Sequence, residues 1–261
     1  MPCKAQHQLV PQSAPTTDLP VVAVVLDLPA AAHMPSHDHP RGRLIHSIEG
    51  TIDVLCDGKI WVLPPYRALW IPSQIRHELS TRSPARMRSL DIGPPLVDRL
   101  PALPLAINVG AMLQALIYRA VELGAGYRED QHALALLSAI PEEVNRSPRE
   151  RIALSFPTDR RIARICRSLL DAEGLKRSLQ SWAEEVGAST RTLERLFTAE
   201  TGLTFIEWRQ AALMQIAVTK LASRKSIRDV CDELGVQSTS AFHRGFRKHF
   251  GMPPGEYLQA R

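Results

Sequence analysis

One pattern constrains this chain more than any other, and it occurs twice in the C-terminal part. Leu179, Trp182, Ala183 and Val186 recur at intervals of three and four and make one helix face. Gly187 follows, where a left-handed residue suits the end of a helix. Ser189 or Thr190 can cap a second helix that buries Leu193, Leu196 and Phe197. The same order returns about 48 residues later, Gly187 aligning with Gly235 and Gly202 with Gly251. Here Ile227, Val230, Cys231 and Leu234 make the first face, and Val236 to Thr239 the turn and cap. Ala241, Phe242, Phe246 and Phe250 then point inward, and Arg244, Arg247, Lys248 and His249 outward. Phe205 to Leu221 lacks Gly and Pro and carries Ile206, Leu213, Ile216, Ala217, Val218 and Leu221, so one continuous helix links the units. One helix-turn-helix is often only a helical hairpin. Two aligned copies on a rigid spacer are hard to explain as scaffold. They can place two recognition helices in major-groove segments about 34 Å apart.

Charge supports this reading. The net charge is +5, yet residues 1–157 balance 15 Lys+Arg against 15 Asp+Glu, while 158–261 hold 17 against 12. The whole surplus lies in the doubled half, as expected of a part that meets a polyanion. A solvated basic face would leave the same charge. The composition, 44% hydrophobic and 23% charged, excludes a disordered or collagen-like chain. No apolar run reaches the roughly 18–20 residues of a membrane helix, and no apolar segment follows Met1 to Lys4 as in a secretory leader. Cys3, Cys56, Cys166 and Cys231 are too scattered for a disulfide framework or a structural zinc site. A cytoplasmic protein without membrane contact is expected.

The N-terminal half has a different period. Val21–Leu26, Leu44–Ile48, Thr51–Cys56, Lys59–Leu63, Ala68–Pro72 and Met87–Ile92 read as short, regularly spaced strands, with Asp57-Gly58 as a hairpin turn. Such spacing suggests a sandwich or small barrel. From Leu105 through Val109, Met112, Leu113, Leu116, Ala120 and Leu123 the period is helical. Its apolar face can pack on the barrel or form a homodimer contact. Leu134, Leu137 and Ile140 mark a second helix, and a short one is expected around Arg149–Leu154. The expected organisation is a flexible tail over 1–20, a β-domain with following helices over 21–143, a linker over 144–157, and an all-α domain over 158–261. The fold class is multidomain α+β.

Ser240 to Tyr257, with Phe242, Gly245, Phe246, Phe250-Gly251, Pro253-Pro254 and Tyr257, closely resembles the C-terminal signature of the AraC/XylS family of bacterial transcription regulators. Ala211–Leu221 and Ile227–Gly235 fit the same pattern, and the resemblance covers roughly 175–260. It implies sequence-specific binding of double-stranded promoter DNA, usually activation through RNA polymerase, and a homodimer matched to a repeated operator. Base contacts fall at the start of each second helix, on Thr190, Arg191, Glu194 and Arg195, and on Thr239, Ser240, His243 and Arg244. Arg can chelate guanine, and Glu194 can accept from cytosine or stand as a solvated acid. Arg195 can instead form a surface ion pair. Arg247 and Lys248 suit phosphates.

His37-Asp38-His39 and a later His77, in Pro72-Ser73-Gln74-Ile75-Arg76-His77, resemble the metal motifs of the cupin barrel family. That family places a Glu where this chain has Arg43 or Leu44, and Arg43 would repel a cation. Three imidazoles can still bind a transition metal. Otherwise these histidines line an organic-effector pocket at the barrel mouth, with Arg43 and Trp61, or merely sit in a loop. Trp61 can as well be core, and Arg43 a solvated charge. The combination resembles one-component regulators in which a cupin-like domain senses a small molecule. No cofactor and no enzymatic activity are expected. A metalloenzyme carrying a DNA-binding domain, or a constitutive DNA-binding protein with a dimerisation barrel, are the alternatives.

Overall fold

The computed structural model describes residues 7–9, 18–150, 152–223 and 225–259. The chain divides into two compact units, one of residues 1–57 and 61–151, the other of 58–60 and 152–259.

The first unit holds β1 (His7–Gln8), β2 (Val21–Leu28), β3 (Ala32–His37), β4 (Gly42–Glu49), β5 (Ile52–Cys56), all of β6 (Lys59–Leu63) but its first two residues, β7 (Arg67–Ile71), β8 (His77–Thr81), β9 (Ala85–Ile92) and β10 (Leu105–Asn108). They form two sheets of jelly-roll type, ordered β1-β3-β8-β5-β6 and β10-β7-β4-β9-β2. Every strand expected from the sequence is present. The strands that carry the histidines, β3 and β8, were not expected. Pro35 interrupts β3, and the β3–β8 register shifts between Met34 and His37, so the proline sits at a bulge.

Three helices follow, α1 (Ala111–Leu123), α2 (Gln131–Leu137) and α3 (Ile140–Arg146). Leu113, Leu116, Ile117 and Ala120 of α1 join Leu44, Trp70, Leu90 and Ile92 in one core. By the two-residue period of a strand, Arg43 and Asp91 then face the barrel interior. Gly42 lies under Trp70, where a Cβ would come within 2.1 Å of the indole. Burial of the α1 stripe against the sheet favours the packing reading of this helix. The helix nevertheless begins at Ala111, because Leu105 to Asn108 pair with β7 as a strand. Met112, expected on the apolar face, is exposed, as is Tyr118.

The tail expected over 1–20 is tied down where it is described. β1 pairs with β3, Leu19 is buried, and Arg41 donates to the carbonyls of Leu19 and Pro20. The rest of that segment lies outside the described residues. The hydroxyl of Tyr127 accepts from the N–H of Val21 (3.1 Å) and donates to its carbonyl. The linker region is also structured. Glu150 N–H bonds to Ala106 O, so the backbone here serves a strand partner, and the described residues among 149–154 are not helical.

The second unit holds β11 (Ala153–Ser155), α4 (Arg160–Leu170), α5 (Leu179–Val186), α6 (Thr190–Thr201), α7 (Phe205–Ala222), α8 (Ile227–Leu234), α9 (Thr239–Phe250) and α10 (Pro254–Gln259). α5 packs on α6 and α8 on α9, with α7 against both second helices. Phe197 meets Phe205 edge to face at 5.5 Å, and Phe242, Phe246, Phe250 and Tyr257 form a run of ring contacts. The Trp208 indole donates to Ser155 O at 3.1 Å. α7 is one 18-residue helix opened by a capping box of Thr204 and Glu207. Ile206, expected in its apolar set, is 66% exposed.

Candidate functional site

Each second helix is set by its turn. α5 ends at Gly187 (φ 65°, ψ 42°) and α8 at Gly235 (φ 69°, ψ 30°), left-handed positions that any Cβ strains. The Ser189 hydroxyl accepts from Thr192 N–H at 3.1 Å and opens α6. The Ser238 hydroxyl accepts from Ala241 N–H at 3.3 Å and opens α9. Leu193, Leu196 and Phe197 are then buried, as are Phe242, Phe246 and Phe250. The opposite faces carry the residues singled out above. Arg191, Glu194 and Arg195 are exposed and Thr190 half-buried on α6; Thr239, Ser240, His243, Arg244, Arg247 and Lys248 are exposed on α9.

Two expectations are corrected. Ala241 is exposed rather than inward, because it lies in the first turn, off the Phe242–Phe246–Phe250 stripe. His249 turns inward, bonds to Gln215 at 3.2 Å, and burial lowers its imidazole pKa.

Several cations of this unit pair with carboxylates. Arg161 pairs with Asp159, Arg164 and Arg177 with Glu185, and Lys220 and Lys225 with Glu233. Among the described residues, no ion pair or hydrogen bond engages the side chains of Arg191, Arg195, Arg244 or Arg247. The ion pair considered for Arg195 is not formed. Beside α6 an open groove of about 940 Å³ is lined by Arg191, Arg195, Thr198, Ile206 and Arg209. Arg209 was missed in the sequence because the linking helix was read for its apolar face alone; its position four residues from Phe205, whose ring it covers at 5.3 Å, was the available signal.

In the barrel, His37, His39 and His77 converge, with a nitrogen of each within 4.8 Å of the others. Register places His37 directly opposite His77. His39 lies just beyond β3, and its carbonyl accepts from Gln74 N–H at 2.7 Å, which ties it to the loop leading into β8. His37 Nδ1 donates to Pro35 O at 2.7 Å and His77 Nδ1 to Ile75 O at 3.0 Å. A carbonyl can only accept, so both rings carry their proton on Nδ1 and a lone pair on Nε2. Nε2 of His37 and of His39 is buried with no hydrogen-bond partner among the described residues. Burial, with the Arg43 guanidinium behind it, holds His39 down to about 4; burial and then His37 and Arg43 hold His77 at about 4. The three rings are neutral near pH 7.

Arg43 is not a solvated charge. It is 4% exposed and grips Asp91, itself fully buried, through Nε at 2.6 Å and Nη2 at 2.8 Å. Asp91 answers its charge directly, yet the positive field of Arg43 still bears on all three rings. Trp61 is buried in β6 and donates to Cys56 O at 3.4 Å. No ring contact joins it to the three histidines among the described residues.

Comparison with known proteins agrees with both halves. Residues 182–260 match a helix-turn-helix domain model and residues 21–155 the AraC-like ligand binding domain model. The chain is 27% identical over 224 residues to the HTH-type transcriptional regulator NimR of Escherichia coli, covering 86% of this chain and 82% of the relative. It is 36% identical over 102 residues to the HTH-type transcriptional regulator RipA of Corynebacterium glutamicum, covering 39% and 31%. Unsaturated fatty acid bound ToxT from Vibrio cholerae aligns over 91% of this chain and 94% of its own at 13% identity, with a TM-score of 0.38, too loose a likeness to carry an argument. The ligand-binding model alone spans more than half of the chain, and the chain belongs to the AraC family of effector-controlled, DNA-binding transcription regulators.

Proposed function

We propose that α6 and α9 read promoter DNA in the cytoplasm, that the chain acts as a homodimer, and that it activates transcription through RNA polymerase when an effector occupies the barrel. The observation that carries the reading is the set of unspent cations. Arg191, Arg195, Arg244 and Arg247 stand unpaired on the two outward faces, while Arg161, Arg164, Arg177, Lys220 and Lys225 are paired with carboxylates. An exposed guanidinium fork matches guanine O6/N7 or a phosphate. Glu194 among them suits cytosine N4. The exposed apolar side chains of Met112 and Tyr118 on α1 leave surface that a second copy can cover. The effector acts only if it binds the DNA-competent arrangement more tightly than the other.

A preferred duplex is selected from random sequences with the full chain, and variants are then compared by fluorescence anisotropy. Arg244→Ala is expected to lose roughly 1–3 kcal/mol on the selected duplex and little on random DNA. Arg247→Ala is expected to weaken both alike and to reduce the salt slope by about 1. Unchanged affinity in both variants overturns the assignment of α9 to DNA.

A further inference from the structure

The three histidines hold a feature that DNA reading does not use. We propose that Nε2 of His37, His39 and His77 bind one divalent transition-metal ion whose open coordination position takes an anionic donor.

The argument is one of preparation. An interior imidazole nitrogen with a lone pair and no hydrogen-bond partner is costly. Here two such atoms, of His37 and His39, stand together with His77. Backbone carbonyls at Pro35 and Ile75 hold the Nδ1 protons of His37 and His77 and so aim their Nε2 lone pairs. An outer partner that fixes tautomer and ring plane is the usual support of a metal-ligating histidine. Bonds of about 2.0–2.1 Å to a tetrahedral ion require nitrogens about 3.3 Å apart. The ligand atoms here lie within 4.8 Å of one another, so an ion must draw them together by up to about 1.5 Å.

The charge of the donor set determines the fourth ligand. Three neutral imidazoles leave a divalent ion its full charge in a buried place. The nearby carboxylates are spent. Both oxygens of Asp91 hold Arg43, and Asp38 pairs with Arg76 at 3.6 Å. No protein carboxylate completes the triad, so the ion is completed from outside by hydroxide or by a small anion with an oxygen, nitrogen or sulfur donor. The effector class this gives, an anion that ligates metal, rests on the regulator reading above.

The full chain is purified without chelator and its metal content measured. It is then loaded with Co²⁺ and titrated with azide while the visible bands are followed. About one ion per chain, strong four-coordinate Co²⁺ absorption and bands that move with azide are expected. His39→Asn is expected to lower Co²⁺ affinity by at least about 100-fold. His33→Asn, outside the triad, is expected to leave it unchanged. No ion, an ion retained equally by His39→Asn, or bands indifferent to azide each overturn the proposal. Should His39→Asn fail to fold by circular dichroism, the Co²⁺ spectrum and azide titration of the unsubstituted chain still decide. None of these readouts involves DNA, so failure of the ion site and failure of DNA reading are separate results.

Discussion

Removal of Arg43 gives a sharp test of how the barrel interior is built. Arg43 and Asp91 are a two-pronged pair at 2.6 and 2.8 Å, and their side chains are 4% and 0% exposed. Breaking a buried pair by deleting one partner costs about 3–5 kcal/mol, because the other charge is stranded. Arg41 remains near, donating to Asp91 O at 3.2 Å, and its charge offsets part of that loss. The lower end, about 3 kcal/mol, is therefore expected for Arg43→Ala. Typical domains hold only about 5–15 kcal/mol, so this is a large fraction. With a urea slope of about 1.5 kcal/mol per molar, the midpoint of the β-unit falls by about 2 M. Replacing both partners, Arg43→Met with Asp91→Leu, removes the charges together and is expected to restore most of the loss. Unfolding is followed by tryptophan fluorescence, in which Trp61 and Trp70 report on this unit and Trp182 and Trp208 on the other. Helical dichroism at 222 nm reports chiefly on the other unit and serves as the internal control. A midpoint shift under about 0.5 M for the single variant refutes the reasoning. So does a double variant as unstable as the two singles summed.

Two further substitutions test backbone and packing. Gly187→Ala is expected to cost about 1–2 kcal/mol, since φ is 65° and a Cβ there meets nothing within 4 Å, leaving only backbone strain. Gly187→Asn, which tolerates that conformation, is expected to recover part of it, and thermal melts at 222 nm that rank Ala equal to Gly would exclude the strain account. Gly42→Ala is expected to cost roughly 1–3 kcal/mol and to alter Trp70 fluorescence, because the added methyl falls 2.1 Å from the indole. An unchanged emission spectrum and melting temperature would mean that β4 shifts freely.

The helical half was largely legible because its signals are local. Gly187, Gly235, Ser189 and Ser238 each dictate a helix end within four residues, and the aromatic spacing in α9 states its buried face. Of the misreadings there, Ala241 lies off the stripe that periodicity itself marks, whereas His249 turns inward to Gln215 of α7, a neighbour that no periodicity encodes. The barrel was legible where short apolar runs are bounded by turn residues, as in β4 to β7. It was opaque at β3 and β8, where His, Pro, Ser and Glu are weak strand formers and pairing decides. The convergence of His37, His39 and His77 was suggested by spacing and resemblance, but the Arg43–Asp91 pair was not, since 48 residues separate its members. The unit boundary was blurred because Arg149 and Glu150 bond back to β10.

The position of β2 carries a last consequence. Val21 to Leu26 is almost wholly apolar and β-branched, and β2 closes the end of its sheet, with Val25 45% exposed. A free edge of this kind is a template on which a second chain can add a strand and begin a fibril. Tyr127, 106 positions away, occupies both the N–H and the carbonyl that Val21 turns outward. Asp27, facing Arg86 and Arg88, places charge at the far end. The phenol thus takes up the hydrogen-bonding groups at one end of an edge that no further strand covers among the described residues, and it comes from beyond the unit's last strand and first helix.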